Sequence, residues 1–335
     1  MIITKTPFRM SFFGGGTDME SFFKENGGSV LSTTFDKYCY VNVRHLPRFF
    51  DYSTELSYSK TERVTNIDAI EHPAIRNAMK MLDMHEIRLT YEADLPARSG
   101  LGTSSSFAVG MLNAFYALKG KYASKKQLAD EAIYLERVLC NEAGGWQDQI
   151  AASFGGFNRI DFNADGYTVH PVIVSPQRKQ QLNNNLMMFF TGFTRFSSEI
   201  QKANKLDDES KTKQLKQMLT LVDEAESILT DQSKDLDDFG RLLDVTWKLK
   251  RQTGKSVSTS NIDNLYDKGI SAGALGGKLL GAGGGGFLVF YVTPEKQAVV
   301  KEAMEDLLYI PFKFEDSGTQ VIYYGPEDYS PAEVE

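Results

Sequence analysis

Residues 269–287, GISAGALGGKLLGAGGGGF, hold nine of the 28 glycines in this chain of 335 residues and run directly into the apolar segment 287–292, FLVFYV. Glycine costs conformational entropy on folding, so it is expected where a backbone turns sharply or another group approaches closely. The stretch therefore predicts a tight turn beside a ligand, and phosphate is the favoured ligand. The alternative is a turn that only packs a helix against a strand.

Within this stretch, Gly281, Gly283 and Gly286 match the pattern G-x-G-x-x-G of dinucleotide-binding proteins. In those proteins the pattern follows a strand and opens a helix. Here a predicted helix, residues 262–274, precedes the glycines and a predicted strand follows them. The reversed order disfavours a nucleotide-dependent oxidoreductase.

A second glycine-rich motif, LPARSGLGTSSS at residues 95–106, precedes apolar residues at helical spacing, and Gly120 provides a stop signal. The motif therefore opens a helix. Free amide groups, the helix dipole and the hydroxyl groups together suit a phosphate, and Ser104 or Thr103 could also face a magnesium ion. The alternative is an ordinary Ser or Thr N-cap, which needs only one hydroxyl.

A third motif, TPFRMSFFGGGTD at residues 6–18, reads as a strand that enters a triple-glycine turn. This order places Arg9, Thr17 and Asp18 where a small polar ligand could meet them. Taken alone, the motif indicates only a tight turn.

Together, the three motifs resemble those of the GHMP kinases, the family of galactokinase, homoserine kinase and mevalonate kinase, in order and over essentially the whole chain. A closer resemblance is to the D-glycero-D-manno-heptose 7-phosphate kinases of that family. Phe12 and Phe13 depart from it, because smaller residues usually precede the glycines, and this leaves the sugar open. The resemblance is carried by GGGTD (14–18), GGWQDQ (144–149), TGFTR (191–195), WKLK (247–250) and GGKLLG (276–281).

The resemblance implies an α+β fold of two domains. Residues 1–180 would form a domain like domain 2 of ribosomal protein S5, and residues 181–335 a ferredoxin-like domain, with ATP and sugar in the cleft between them. Periodicity alone indicates mixed helix and strand, with a hairpin turn at residues 161–167. A helix should begin at Ser124, which has capping-box spacing to Gln127, and end near Asn141.

The resemblance also implies roles for single residues. Asp148 matches the catalytic aspartate and would accept a proton from a sugar hydroxyl, while Arg9 would stabilise the developing charge. Glu136 matches the magnesium-binding glutamate, with Ser104 as the second ligand. Without the family, the simpler interpretation of Glu136 is a salt bridge at the margin of an apolar helix stripe.

The matched motifs also imply two larger sets of residues, of which the first forms the phosphate loop and the second contacts the substrate. Arg195 and Lys278 belong to the second set as candidates for a substrate phosphate, with surface ion pairs as the alternative. The phosphate loop would comprise Pro96, Gly100, Leu101, Gly102, Thr103, Ser104, Ser105 and Ser106. The substrate contacts would comprise Gly16, Thr17, Asp18, Arg195, Lys278, Gly283, Gly284 and Gly285.

The implied activity is ATP- and Mg²⁺-dependent phosphorylation of D-glycero-D-manno-heptose 7-phosphate at its anomeric C1 hydroxyl, in the synthesis of nucleotide-activated heptose for surface polysaccharide such as lipopolysaccharide. One alternative is a kinase for another sugar, such as galactose or fucose. The other is a sensor of sugar and ATP without turnover, which is disfavoured because Asp148, Arg9, Glu136 and the serine-rich loop are all present.

Composition is that of a soluble globular protein, with 41% hydrophobic and 24% charged residues. Without an 18-residue apolar run or a signal-peptide pattern, we expect a cytoplasmic protein that does not enter membranes. The net charge of −7 disfavours nucleic-acid binding. Cys39 and Cys140 lack metal-ligand spacing, and no histidine-based motif occurs. A homodimer is compatible with the sequence.

Overall fold

The computed structural model describes residues 1–97, 99–192, 208–254 and 256–327, which form two antiparallel-rich sheets with helices packed on them. Its strands are β1 (Ile2–Phe13), β2 (Gly28–His45), β3 (Thr54–Ser57), β4 (Thr61–Val64), β5 (Ile87–Ala93), β6 (Phe157–Asn163), β7 (Gly166–Pro171), β8 (Leu186–Phe190), β9 (Gly276–Leu279), β10 (Phe287–Tyr291), β11 (Leu308–Ile310), β12 (Phe314–Glu315) and β13 (Gln320–Tyr324). Its helices are α1 (Glu20–Asn26), α2 (Pro73–Met81), α3 (Thr103–Leu118), α4 (Lys125–Ile133), α5 (Gln147–Phe154), α6 (Pro176–Asn185), α7 (Asp208–Thr230), α8 (Asp237–Arg251), α9 (Ser260–Ser271) and α10 (Gln297–Ala303).

The first sheet is built around β2, whose 18 residues pair with β1, β5, β6 and β12. Its main path runs β13-β1-β2-β5-β3-β4, and among the strand pairs of the described residues only β3–β5 is parallel in this sheet. Along β2, Cys39, Val41 and Val43 are buried while their neighbours are partly exposed, as expected for a strand with one face on the core. The predicted hairpin is confirmed, since β6 and β7 pair around the turn at residues 163–166.

Helix α3 packs on this sheet through its apolar face. Phe107, Met111, Leu112 and Phe115 are all buried, as their spacing predicts. The helix ends at Leu118, and Gly120 follows with a positive φ of 65°. A left-handed glycine is a common way to stop a helix, so the predicted stop signal is confirmed.

Helix α4 begins as predicted, because the Ser124 hydroxyl accepts a hydrogen bond of 3.1 Å from the Gln127 amide. The predicted end near Asn141 also holds. The last part, however, is a π-helical turn over Tyr134–Leu139 rather than a regular α-helix. Such turns insert an extra residue and change where the following side chains point.

The second sheet has the order β11-β8-β10-β9 and carries α8 and α9. Its core includes Trp247 of α8, Tyr266 of α9 and Phe290 of β10, with Tyr266 stacked on Phe290 at 5.7 Å between ring centres. The predicted helix before the glycine-rich stretch is observed as α9 and the predicted strand after it as β10.

The two sheets share one apolar core. Phe12 and Phe13 are fully buried in it and both pack edge-on against Phe239 of α8. These two phenylalanines therefore fill the space between the halves of the chain. Their large size is explained by this packing.

The division of the chain at residue 180 remains a prediction. The strand pairings also show that the last two strands return to the first sheet, where β12 pairs with β2 and β13 pairs with β1. None of the helices in the four described ranges combines the length and the apolar character that a bilayer crossing requires.

Candidate active site

Arg9 and Asp148 form a bidentate ion pair between β1 and the first turn of α5. Arg9 Nε lies 2.7 Å from Asp148 Oδ1, and Nη2 lies 3.0 Å from Oδ2. The remaining Arg9 nitrogen, Nη1, donates to the Gly100 carbonyl at 2.7 Å. Paired, parallel hydrogen bonds fix both the distance and the plane of the carboxylate. The Asp148 side chain is 25% exposed, so a ligand can reach it.

Asp18 lies beside this pair at the end of the triple-glycine turn. Its carboxylate accepts hydrogen bonds from the amides of Gly16, at 2.9 Å, and Gln147, at 3.3 Å. Burial, and next the charge of Asp148, raise the pKa of Asp18 above that of an ordinary aspartate. Gly145 passes so close that a Cβ on it would lie 1.8 Å from Asp18 Oδ2, so a side chain there would displace the carboxylate.

Some predicted ligand residues have internal partners. The Thr17 hydroxyl is buried and contacts the carbonyl oxygens of Gly14 and Ser29 at 2.8 and 2.9 Å. Ser106 donates to the Pro7 carbonyl at 2.9 Å, Leu101 lies in the core, and Pro96 is exposed. Thr17 and Ser106 thus hold the first strand and its turn in place, and their predicted ligand contacts stay predictions.

The predicted phosphate loop forms the N-terminus of α3 next to the Arg9–Asp148 pair. Gly102 is the N-cap residue with a left-handed backbone at φ 72°, and no side chain caps the helix. The alternative of an ordinary Ser or Thr N-cap is therefore wrong. A Cβ on Gly102 would lie 3.3 Å from Arg9 Cγ and from Asp148 Cγ, so the helix N-terminus and the ion pair are neighbours.

Glu136 is brought to the same helix end by the π-helical turn. Glu136 is 1% exposed. Its two carboxylate oxygens accept hydrogen bonds from the hydroxyl groups of Ser104, at 2.9 Å, and Ser105, at 2.7 Å. The side-chain amide of Gln149 is a third donor. Arg137 Nη2 lies 3.9 Å from Glu136 Oε2, so the predicted salt bridge is present as a long ion pair, but Glu136 is buried rather than at a solvated margin. Gln149 is a functional-site neighbour that the sequence interpretation missed.

The Ser104–Glu136 pair fits a magnesium ion in its chemistry, because Mg²⁺ prefers hard oxygen ligands and takes few from the protein. In the described ranges, no group of three or more His, Cys, Asp or Glu side chains is placed to hold a metal. An ion at this pair would therefore complete its shell with phosphate oxygens and water.

The glycine-rich stretch with which the sequence analysis began lies against the phosphate loop. A Cβ on Gly281 would lie 2.3 Å from the Gly100 Cα, and one on Gly286 would lie 2.2 Å from the Ser99 carbonyl oxygen. The neighbouring Gly284 amide donates to the Val257 carbonyl at 3.0 Å. The two loops therefore meet backbone to backbone, and the predicted substrate contacts of Gly283, Gly284 and Gly285 stay predictions.

Lys278 of β9 is 2% exposed and donates to the Phe12 carbonyl at 2.6 Å. Burial, and then the charges of Lys250 and Arg9, hold the pKa of Lys278 well below its ordinary value. The alternative of a surface ion pair is therefore wrong for Lys278. Arg195, the other predicted phosphate contact, lies outside the described residues.

Lys250 is the main site residue that the sequence interpretation did not select. It lies in the last turn of α8, is half-buried, and its ammonium donates to the Gly281 carbonyl. The signal was present in the sequence, because Leu243, Trp247 and Lys250 share one helix face at spacings of four and three residues. A lysine on the apolar face of an amphipathic helix is a candidate for function.

Comparison with known proteins gives family matches in both halves of the chain. The model of the GHMP kinases N terminal domain matches residues 68–156, and the model of the GHMP kinases C terminal domain matches residues 224–310. The chain is 31% identical to the D-glycero-alpha-D-manno-heptose 7-phosphate kinase of Campylobacter jejuni, over 95% of this chain and 98% of that protein.

A further relative matches part of this chain, and a solved structure has the same fold. An L-fucokinase/L-fucose-1-P guanylyltransferase of Bacteroides fragilis is 30% identical over 64% of this chain and 23% of its own length. The crystal structure of a D-glycero-D-manno-heptose 1-phosphate kinase from Bacteroides thetaiotaomicron superposes with a TM-score of 0.78 at 24% identity, over 98% of this chain and all of that one. With matches at both domains and a near full-length relative, this chain belongs to the GHMP kinase family.

Proposed function

We propose that this protein transfers the terminal phosphoryl group of ATP to the anomeric C1 hydroxyl of D-glycero-D-manno-heptose 7-phosphate, giving the 1,7-bisphosphate. The observation that carries the reaction type is the bidentate Arg9–Asp148 pair beside the N-terminus of α3, which has no side-chain cap. The choice of sugar is supported by the near full-length similarity to the Campylobacter heptose 7-phosphate kinase.

In this reaction Asp148 accepts the proton of the C1 hydroxyl as that oxygen forms its bond to phosphorus and the bond from phosphorus to ADP breaks. Arg9 holds the carboxylate in one plane through two hydrogen bonds, and its third contact, to Gly100, ties the pair to the phosphate loop. Phosphoryl transfer depends mainly on positioning and charge neutralisation, which this rigid arrangement provides.

The remaining groups have supporting roles. Ser104 and Glu136 would hold Mg²⁺, which when bound neutralises phosphate charge. Asp18, fixed by the amides of Gly16 and Gln147, is placed to orient sugar hydroxyls next to Asp148. The N-terminal amides and dipole of α3 favour the phosphate groups of the nucleotide.

Product analysis tests the proposal directly. The purified protein is incubated with ATP, Mg²⁺ and one acceptor from a panel of the heptose 7-phosphate, the unphosphorylated heptose, galactose and fucose. ADP release and ³¹P NMR are measured for each. We expect a C1 phosphate on the heptose 7-phosphate and a kcat/KM about one to two orders of magnitude lower for the unphosphorylated heptose, because a charge-assisted contact is lost.

Two results would count against the proposed function. Comparable kcat/KM for the heptose and its 7-phosphate would argue against a dedicated contact for the substrate phosphate. Faster turnover of galactose or fucose would replace the heptose as the substrate while leaving the sugar kinase activity in place.

A further inference from the structure

Lys250 lies among the charged groups of the site. Arg9, Asp18 and Asp148 all act electrostatically on Lys250, and Arg9 is already paired with Asp148. Lys278 is buried against a main-chain carbonyl. A cation that is partly removed from water is costly unless an anion pairs with it, so the position of Lys250 indicates an anionic ligand.

Lys250 differs from the other cations in the last turn of α8. Lys248 pairs with Asp244 at 2.6 Å and Arg251 pairs with Asp263 at 2.9 Å, both through carboxylates of the second half of the chain. The Lys250 ammonium is instead hydrogen-bonded to the Gly281 carbonyl. A carbonyl is a neutral partner, so the charge of Lys250 remains available to a ligand.

A short series of contacts connects Lys250 with the reacting groups. Its partner Gly281 packs against Gly100 so closely that a Cβ would lie 2.3 Å from the Gly100 Cα. The Gly100 carbonyl in turn accepts the hydrogen bond from Arg9, which holds Asp148. Lys250 is therefore anchored where the two glycine-rich loops and the ion pair meet.

We propose that the Lys250 ammonium contacts the phosphoryl group while it is being transferred and is a further catalytic residue of the kinase reaction. This inference rests on the proposed function, because it takes Asp148 as the base. The phosphate of a heptose 7-phosphate is carried by C7, in the side chain on C5 of the pyranose ring, whereas the reacting hydroxyl is on C1. A cation grouped with Asp148 and Arg9 is thus placed for the reacting end of the substrate, where negative charge develops during transfer.

The charge state of Lys250 predicts how the reaction rate should depend on pH. Burial, and next the charge of Arg9 on β1, lower the pKa of Lys250 to about 8, while Asp18 after β1 and Asp148 on α5 act in the opposite direction. Lys278 on β9 is a further titratable neighbour. An ammonium with this pKa is charged below pH 8 and neutral above it, so its contribution to the rate is lost as the pH rises through about 8.

The test compares Lys250→Met and Lys250→Arg with Lys248→Met, a matched control from the same helix turn whose side chain is exposed and ion-paired. One readout is kcat/KM against pH. The other is calorimetric affinity for ADP alone and for ADP with aluminium fluoride, a mimic of the phosphoryl group in flight that needs no sugar.

For Lys250→Met we expect a kcat/KM about 10²-fold lower, loss of the extra affinity that aluminium fluoride confers, and unchanged affinity for ADP alone. Lys250→Arg should recover part of the rate and move the alkaline limb to higher pH. Lys248→Met should behave as the wild type.

Wild-type affinity of Lys250→Met for the aluminium fluoride complex would overturn the proposal. Equal loss of affinity for ADP alone would also overturn it, because Lys250 would then only hold the glycine loop. Failure of the proposed function would be separate, appearing as a wild-type protein that does not phosphorylate the heptose 7-phosphate although the fluoride readout still distinguishes the variants.

Discussion

The two glycine-rich loops of this protein look alike in sequence but have different surroundings. The loop at residues 99–102 opens helix α3, and its Gly102 faces the Arg9–Asp148 pair. The loop at residues 280–286 joins strands β9 and β10, and its Gly281 and Gly286 face the backbone of the first loop. The first loop presents the N-terminus of α3 to the site, whereas the second loop packs against the backbone of the first.

This difference shows what glycine content can and cannot indicate. A dense run of glycines predicts close approach, but it does not identify the group that approaches. For residues 269–287 the sequence favours a phosphate, whereas in the structure backbone atoms lie so close to Gly281, Gly283 and Gly286 that an added Cβ would overlap them. Substitutions in the first loop should therefore impair ATP binding, whereas substitutions in the second loop should mainly reduce stability.

The largest effect is expected for Gly102→Val, which should abolish ATP binding and turnover in a protein that still folds. The new side chain would occupy a left-handed position and press on Arg9 and Asp148, which lie 3.3 Å from the Cβ position. Calorimetry with ATP measures the effect. The control is Gly120→Val at the other end of α3, where φ is 65° and no atom lies within 4 Å of the added Cβ. Unchanged ATP affinity in a folded Gly102→Val protein would refute the phosphate loop.

Gly286→Ala should mainly reduce stability. Its φ is 113° and the added Cβ would lie 2.2 Å from the Ser99 carbonyl oxygen, so one of the two loops must move. We expect a loss of about 2 to 4 kcal/mol in the free energy of unfolding, measured by denaturant titration. Gly166→Ala is the matched control, because its φ is 133° and nothing lies within 4 Å. Equal losses in both variants would mean that backbone strain, rather than loop contact, is responsible.

A smaller effect separates the serines of the first loop. Ser104→Ala should raise the Mg²⁺ concentration needed for half-maximal activity by about 10-fold, since loss of groups around a metal typically costs 10- to 100-fold in affinity. Ser106→Ala is the control, because its hydroxyl binds the Pro7 carbonyl, and it should change stability by about 1 kcal/mol without altering the Mg²⁺ requirement. The same Mg²⁺ requirement in both variants would remove Ser104 from the metal site.

Local signals predicted much of the fold. The start of α3, the Ser124 cap and the β6–β7 hairpin each depend on residues that are close in the sequence. The return of β12 and β13 to the first sheet was not predicted, because it depends on pairing over about 280 to 320 residues of chain. The π-helical turn that carries Glu136 was also missed, since a regular apolar stripe gives no sign of an inserted residue.

The candidate site was assigned through family resemblance rather than spacing. The structure brings Arg9, Asp18, Glu136 and Asp148 together around the first turn of α3, although more than about 100 residues separate the first two from the last two. Lys250 was missed because a lysine near a helix end usually serves as a solvated partner for the helix dipole. Only the packing of α8 against β9 shows that it faces the glycine loop.

The central claim is that Asp148 acts on the acceptor hydroxyl while the α3 N-terminus holds the nucleotide. The most direct measurement is turnover of Asp148→Asn on the acceptor that the wild type phosphorylates, together with ATP affinity on the same sample. We predict turnover lower by at least about 10²-fold with nearly unchanged ATP affinity, because a positioned base contributes about 10² to 10⁴. Wild-type turnover in Asp148→Asn would contradict the account.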